Sequence, residues 1–191
     1  LLICIPAAYA LARYNFKGKR VFLLSFLLSN AYPRMGLYIS IGILFYRLNL
    51  MGTFVGVIII HVLNSMMFMT WIPSGAFRGV YRQQEESARD AGAGPFRTFF
   101  RITLPMISPQ LFFLLITITI SSFKVFDTIQ VMTGGGPGNA TDVLVTYIYR
   151  YAFEMNARVG YASAAGTVLL VILMILTFVY FRMLGRKVYY Q

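Results

Sequence analysis

Glu86-Ser87-Ala88-Arg89-Asp90-Ala91-Gly92, continued by a run that closes in Ile102-Thr103-Leu104-Pro105, lies between two strongly apolar stretches. The segment carries both signs of charge and is punctuated by glycine and proline. A loop built that way suits a protein partner on one side of a membrane. The neighbouring stretches therefore decide the fold.

Composition makes them membrane helices. The chain of 191 residues is 58% hydrophobic and only 12% charged, against roughly a quarter charged in soluble domains. A soluble domain of this size would lack the polar surface to cover itself, so the class is an integral membrane protein. The formal net charge of +11 raises the question of nucleic acid. The cations, however, fall in short groups between apolar segments, which is the pattern of topology signals and excludes nucleic acid as a partner. One cysteine, Cys4, leaves no internal disulfide and no cysteine-based metal site, and a single histidine adds no metal site. Leu1-Leu2-Ile3-Cys4-Ile5 reads as the middle of a helix, and no signal peptide is visible, so the domain is expected to be incomplete at its N-terminus.

Four apolar segments meet the roughly 20 residues a bilayer needs, and one more, at the start, reads as the end of a helix cut short. They are Leu1–Tyr14, Val21–Tyr46 with Pro33-Arg34 inside it, Thr53–Phe77, Met106–Met132 and Gly160–Leu184. Arg13, Lys17, Lys19 and Arg20 mark one side of the membrane. Arg78, Arg82, Arg89, Arg97 and Arg101 return to it two crossings later, and Arg182, Arg186 and Lys187 two crossings after that. Only Arg47, Arg150 and Arg158 lie opposite. The positive-inside rule then makes the 78–105 loop and the C-terminus cytoplasmic and the 133–159 segment extracytoplasmic. The whole is expected to be one all-α polytopic transmembrane domain over 1–191.

Within the 78–105 loop, Glu86–Ala91 has good helix formers and small side chains. Gly92 or the Gly92-Ala93-Gly94-Pro95 run makes a turn, Pro95 begins a second helix, and Pro105 marks entry to the next membrane helix. This predicts a knob of two short helices that a soluble engine can grip. In the 133–159 segment, Thr133-Gly134-Gly135-Gly136-Pro137-Gly138-Asn139 cannot be a regular element. It also lacks the Gly-Lys-Ser/Thr ending of a phosphate-binding loop, so ATP has to be handled by another chain. Asn139-Ala140-Thr141 reads as a turn. Val143–Phe153 fits either a strand by propensity or a short interfacial helix, and the helix is favoured.

Polar groups in membrane segments cost a few kcal/mol each unless partnered. Arg34 beside the helix-kinking Pro33 either faces a water-filled path or snorkels to a helix end. Lys124 and Asp127, three apart, are expected to pair on one helical face. His61, Asn64 and Ser65 share a face, with Trp71 further along, and Ser121 and Ser122 are adjacent on a later segment. Such groups either bond between helices or line a path for a hydroxyl-rich solute. Gly160, Ser163, Ala164 and Thr167 form a small face that lets helices approach closely.

The spacing of the first-quoted segment resembles the cytoplasmic signature of permease subunits of binding-protein-dependent ABC importers. That pattern is Glu-Ala-Ala, a glycine six positions after the Glu, nine residues, then Ile-x-Leu-Pro. Glu86, Ala88, Gly92, Ile102, Leu104 and Pro105 match it, and Ser87 replaces the first alanine. Phe126-Asp127-Thr128-Ile129-Gln130-Val131-Met132-Thr133-Gly134-Gly135-Gly136-Pro137-Gly138-Asn139-Ala140-Thr141 resembles the carbohydrate branch. Tyr147-Ile148-Tyr149-Arg150, Ala152-Phe153 and Gly160-Tyr161-Ala162-Ser163-Ala164 continue that likeness, while Asn49-Leu50-Met51-Gly52-Thr53 is more similar to the partner-type permease of the maltose class.

The resemblance implies a non-enzymatic subunit of a bacterial or archaeal cytoplasmic membrane that imports a sugar or related polyol. It implies pairing with a second permease, two cytoplasmic ATP-binding subunits that hold ATP and Mg, and an extracytoplasmic solute-binding protein, with membrane lipid around them. Glu86, Ser87, Ala88, Asp90, Gly92, Ile102, Leu104 and Pro105 would couple to the ATPase. Gly134, Gly135, Gly136, Pro137 and Asn139 would form an outer gate or binding-protein contact. Import of a polyamine or phosphorylated polyol by the same kind of machine, and a stand-alone secondary transporter, are the competing readings.

Overall fold

A computed structural model describes residues 2–31, 34–155 and 157–185. The fold is all-α, with no strand among the described residues. The helices are α1 (Cys4–Arg13), α2 (Lys19–Ala31), α3 (Arg34–Arg47), α4 (Phe54–Gly79), α5 (Arg82–Asp90) and α6 (Pro95–Thr98). A π-turn over Phe99–Thr103 leads to α7 (Leu104–Met106), α8 (Ser108–Phe123), α9 (Asp127–Met132) and α10 (Leu144–Tyr149). A second π-turn over Arg150–Glu154 precedes α11 (Val159–Leu184).

Helices α4 and α11, each of 26 residues, are long and apolar enough to cross a membrane, as expected for the third and fifth segments. On α4 the hydroxyl of Thr53 accepts the N–H of Gly56 at 3.1 Å and caps the first turn. Helix α11 leaves Leu170, Met174 and Phe178 more than half exposed. That surface would be a liability in water and suits lipid.

Two expected segments differ. The fourth, drawn as one helix over Met106–Met132, is broken twice. The stretches Pro95–Met106 and Ser108–Phe123 meet at a 69° bend, and the chain leaves the helix after Phe123 before α9 begins. The first break lies between Pro105 and Pro109, each of which has no N–H for the helix ladder and a ring that crowds the carbonyl one turn back. The preceding turn widens in response, with the N–H of Leu104 reaching the carbonyl of Phe99. Because α8 ends at Phe123, Lys124 and Asp127 no longer share a helical face, and no ion pair joins them among the described residues. The second segment, Val21–Tyr46, appears as α2 and α3. Its expected kink at Pro33, and the side chain of Arg34, lie outside the described residues, as do Arg186 and Lys187.

The chain divides into two compact units. The first comprises residues 1–29, 65–116 and 180–191, the second 30–64 and 117–179. Ala8, Ala12, Phe77, Val80 and Ile107 centre the first core. Ala8 and Ala12 stand one turn apart, so a neighbouring backbone comes close. Tyr9 then wedges edge-on between Phe77 and Phe99, at 5.4 and 5.0 Å between ring centres. Tyr38, Phe45, Ile60 and Met132 centre the second core. Every described cation of the three groups assigned to one membrane side, from Arg13 through Arg101 to Arg182, belongs to the first unit.

Candidate functional site

The loop predicted as a knob is a helical hairpin. Arg82–Asp90 is built from good helix formers, with Glu85 in its first turn and Arg89 in its last, which complements the helix dipole. It starts four residues earlier than the sequence suggested. Its end is a Schellman turn, with the N–H of Ala93 on the carbonyl of Ala88 at 2.9 Å and the N–H of Gly92 on that of Arg89 at 2.8 Å. Gly92 sits at φ +82°, where a Cβ would be strained. Pro95 occupies the start of α6, where its missing N–H costs nothing.

Glu86, Ser87, Asp90 and Gly92 are exposed on this hairpin. Ser87, Ala88, Ile102 and Pro105 come together along an open groove of about 710 Å³, which Gln83, Gln84, Arg101 and Met106 complete. Leu104 instead packs against the first core.

The residue the sequence reading missed is Glu85. Its side chain is buried, and its Oε1 accepts three donors: Arg13 Nη2 at 2.9 Å, Arg13 Nε at 3.2 Å and Thr103 Oγ1 at 2.9 Å. Arg13 Nη2 also donates to the carbonyl of Val80 at 3.0 Å. Side-chain exposures of 10% for Arg13 and 6% for Glu85 make this a buried ion pair. A signal was present in the doublet Glu85-Glu86. Adjacent helical residues point about 100° apart, so on an amphipathic helix one of the two faces inward.

The polar residues expected on α4 make bonds between helices. In the second unit His61 Nε2 lies 3.1 Å from the hydroxyl of Ser122. Asn64 Nδ2 donates to Tyr38 Oη at 3.2 Å, and that oxygen is 3.3 Å from Thr128 Oγ1. Tyr38 and Thr128 were not anticipated, because each matters through a partner distant in sequence and neither carries a periodic signal. Ser121 is exposed beside Ser122. Ser65 and Trp71 belong to the first unit, where the Trp71 carbonyl accepts the hydroxyl of Ser74 at 2.8 Å. Tyr38→Phe would remove the hydroxyl shared by Asn64 and Thr128. It is expected to cost about 0.6–1.7 kcal/mol, read as a lower thermal midpoint in detergent.

The glycine-rich loop is ordered by side chains. Arg150 grips Asp142 with two bonds of 2.6 and 3.0 Å and donates to the carbonyl of Gly134 at 3.0 Å. Thr141 Oγ1 donates to the carbonyl of Gly136 at 2.7 Å and lies 2.8 Å from Thr133 Oγ1. Gly135, at φ +92°, lies so close to this clasp that a Cβ would overlap the Asp142 carboxylate and the Arg150 guanidinium. Pro137 and Asn139 shape the outer turn, with the N–H of Asp142 on the carbonyl of Asn139 at 3.1 Å; Asn139-Ala140-Thr141 is a turn, as read. Val143–Phe153 is helical, not a strand. There Tyr147 and Tyr151 lie 4.3 Å apart between ring centres. A hydrogen bond to Tyr151, aided by desolvation, holds the Tyr147 phenol above its ordinary ionisation range.

An all-α chain with apolar helices long enough to cross a bilayer, and a glycine-turned hairpin between them, defines the class of polytopic helical membrane proteins. Residues 4–190 match the model of the binding-protein-dependent transport system inner membrane component family, and the chain belongs to that family. Among curated relatives, a probable ABC transporter permease protein of Brucella suis biovar 1 is 35% identical over 130 residues, 68% of this chain and 45% of that protein. The sn-glycerol-3-phosphate transport system permease protein UgpA of Yersinia enterocolitica is 40% identical over 117 residues, 61% and 39% respectively. The sulfoquinovosyl glycerol transport system permease protein SmoG of Agrobacterium fabrum is 34% identical over 134 residues, 70% and 43%. The chain thus spans less than half the length of these relatives.

Proposed function

We propose that this chain is the core of a permease subunit in an ATP-driven ABC importer that moves a sugar or related polyol across the cytoplasmic membrane. The observation that carries the reading is the hairpin. Glu86, Ser87, Asp90 and Gly92 are presented to solvent while Glu85 and Leu104 anchor the same hairpin to the core. A rigid, exposed knob at the end of a membrane helix is what a separate engine needs to grip. Family membership supports the assignment, and the names of two relatives, both containing a glycerol unit, support a polyol cargo.

In this reading two cytoplasmic subunits bind ATP and Mg and hydrolyse the nucleotide, and the groove beside Ser87 and Ile102 receives one of them. A second permease completes the path, and an extracytoplasmic binding protein delivers solute near the loop from Gly134 to Asn139. The chain itself performs no covalent chemistry. The imidazole of His61, the amide of Asn64 and the hydroxyls of Ser122 and Tyr38 supply partners suited to a hydroxyl-rich solute. UgpA's name favours a phosphorylated polyol as the second cargo reading.

The test is co-purification of the complete permease with its ATPase subunit in detergent. Glu86→Lys reverses an exposed charge on the knob, and Gly92→Pro is incompatible with φ +82° and removes the N–H bonded to Arg89. Both are expected to abolish ATPase retention while the permease still inserts. Retention unchanged by either substitution would remove the importer reading's main support. Uptake of sugars, polyols and their phosphates by the reconstituted system then assigns the cargo.

A further inference from the structure

The ion pair of Arg13 and Glu85 does more than fill a buried gap. Arg13 is the last residue of α1, Glu85 is on the inward face of α5, and Thr103 closes the π-turn beyond α6. One carboxylate oxygen therefore gathers donors from the end of α1 and from the far arm of the hairpin. Arg13 adds a bond to the Val80 carbonyl, at the joint between α4 and α5. Arg82 donates back to the carbonyl of Arg13 at 3.4 Å. The contact between α1 and the hairpin arm made by Tyr9 on Phe99 is an edge-on aromatic pair, which adds a modest attraction to its burial. Charge-assisted hydrogen bonds are directional and about twice as strong as neutral ones, and largely buried as these are, they are screened less than surface pairs.

We propose that Glu85 is a positioning residue that ties the hairpin to helix α1, so that a displacement of the hairpin is passed through Arg13 to α1. The proposal rests on the importer reading given above and specifies which helix follows the hairpin first. The side chains read as ATPase-facing, Glu86, Ser87 and Asp90, are exposed, whereas Glu85 is buried in the tie. Docking and transmission are thereby carried by adjacent residues, one exposed and one buried.

Cys4 provides a reporter. It is buried, at 4% exposure, at the other end of α1, roughly 14 Å from Arg13 by helical rise. The experiment uses the complete transporter in proteoliposomes, with permease, partner permease, ATPase and binding protein. N-ethylmaleimide labelling of Cys4 is quantified by peptide mass with and without ATP. In wild type, ATP is expected to change the labelling rate about fivefold, the lower end of ordinary coupling factors. Glu85→Ala and Arg13→Ala should remove that dependence, while the ATPase still co-purifies and hydrolyses ATP. Truncating both should be no worse than truncating either, since they act through one contact.

Glu85→Gln keeps the shape and an acceptor oxygen, so it preserves folding and should give an intermediate response. A structural role alone would lower the yield of Glu85→Ala without separating ATP hydrolysis from Cys4 labelling. A bound ATPase with Cys4 labelling unaffected by ATP in wild type overturns the tie alone. So does a wild-type response in Glu85→Ala or Glu85→Gln. If the ATPase fails to bind wild type, the importer reading and the tie fall together.

Discussion

Glu85→Ala is expected to lower the unfolding midpoint of the permease in detergent by roughly 10 °C, whereas Glu86→Ala, one residue on, should barely move it. The two side chains share charge, helix and chemical identity. They differ in what surrounds them. Glu85 is 5% exposed and accepts every hydrogen bond that Arg13 makes to a side chain, plus the hydroxyl of Thr103. Its removal leaves a buried guanidinium facing a cavity with only the Val80 carbonyl for company. Breaking one side of a buried pair costs about 3–5 kcal/mol, because the surviving charge stays desolvated. A solvated carboxylate such as Glu86 contributes within about 0.5 kcal/mol. Fluorescence of the sole tryptophan, Trp71 on α4, can follow the transition. Equal shifts for the two variants would contradict the inward placement of Glu85.

The second large effect is expected at Gly135. Gly135→Val introduces a β-branched side chain at φ +92°, costing about 1–3 kcal/mol in backbone strain, and drives its Cβ into the carboxylate–guanidinium clasp of Asp142 and Arg150. Releasing Arg150 frees the carbonyl of Gly134 and unpins the loop before α10. Trypsin should then cut after Arg150 about tenfold faster, the change that roughly 1.4 kcal/mol of local opening produces. Gly138→Ala is the matched control. It lies at φ +58°, but its Cβ would meet nothing. Comparable cleavage in the two variants would show that strain, and not the clasp, orders the loop.

How far the fold could be read in advance depends on where its cause resides. Helices α4 and α11 are local in origin, since long apolar runs bounded by charge need no knowledge of neighbours. The hairpin turn is local too, because Gly92 and Pro95 impose their own backbone preferences. The break after Phe123 is different. Nothing in Lys124-Val125-Phe126 opposes a helix, and the chain departs there because Asp127 opens a new helix whose Thr128 meets Tyr38 on α3. The pairings of Tyr38, Thr128 and Arg13 were hidden for the same reason: each depends on a partner far away in sequence. Glu85 was hidden by its neighbour, as the eye goes to the glutamate that fits the spacing of the motif and passes over the one that faces inward.

The π-turns at Phe99–Thr103 and Arg150–Glu154 also bear on how this chain can change length. Each holds one residue more than an α-turn over nearly the same rise. Losing a single residue there would let the turn close into ordinary α-helix and leave the register of the flanking segments intact. A deletion within the regular turns of α5 or α8 would instead rotate the rest of that helix by about 100°. Phe99–Thr103 and Arg150–Glu154 are thus two places within helical stretches where the chain can lose one residue without re-addressing the surfaces on either side.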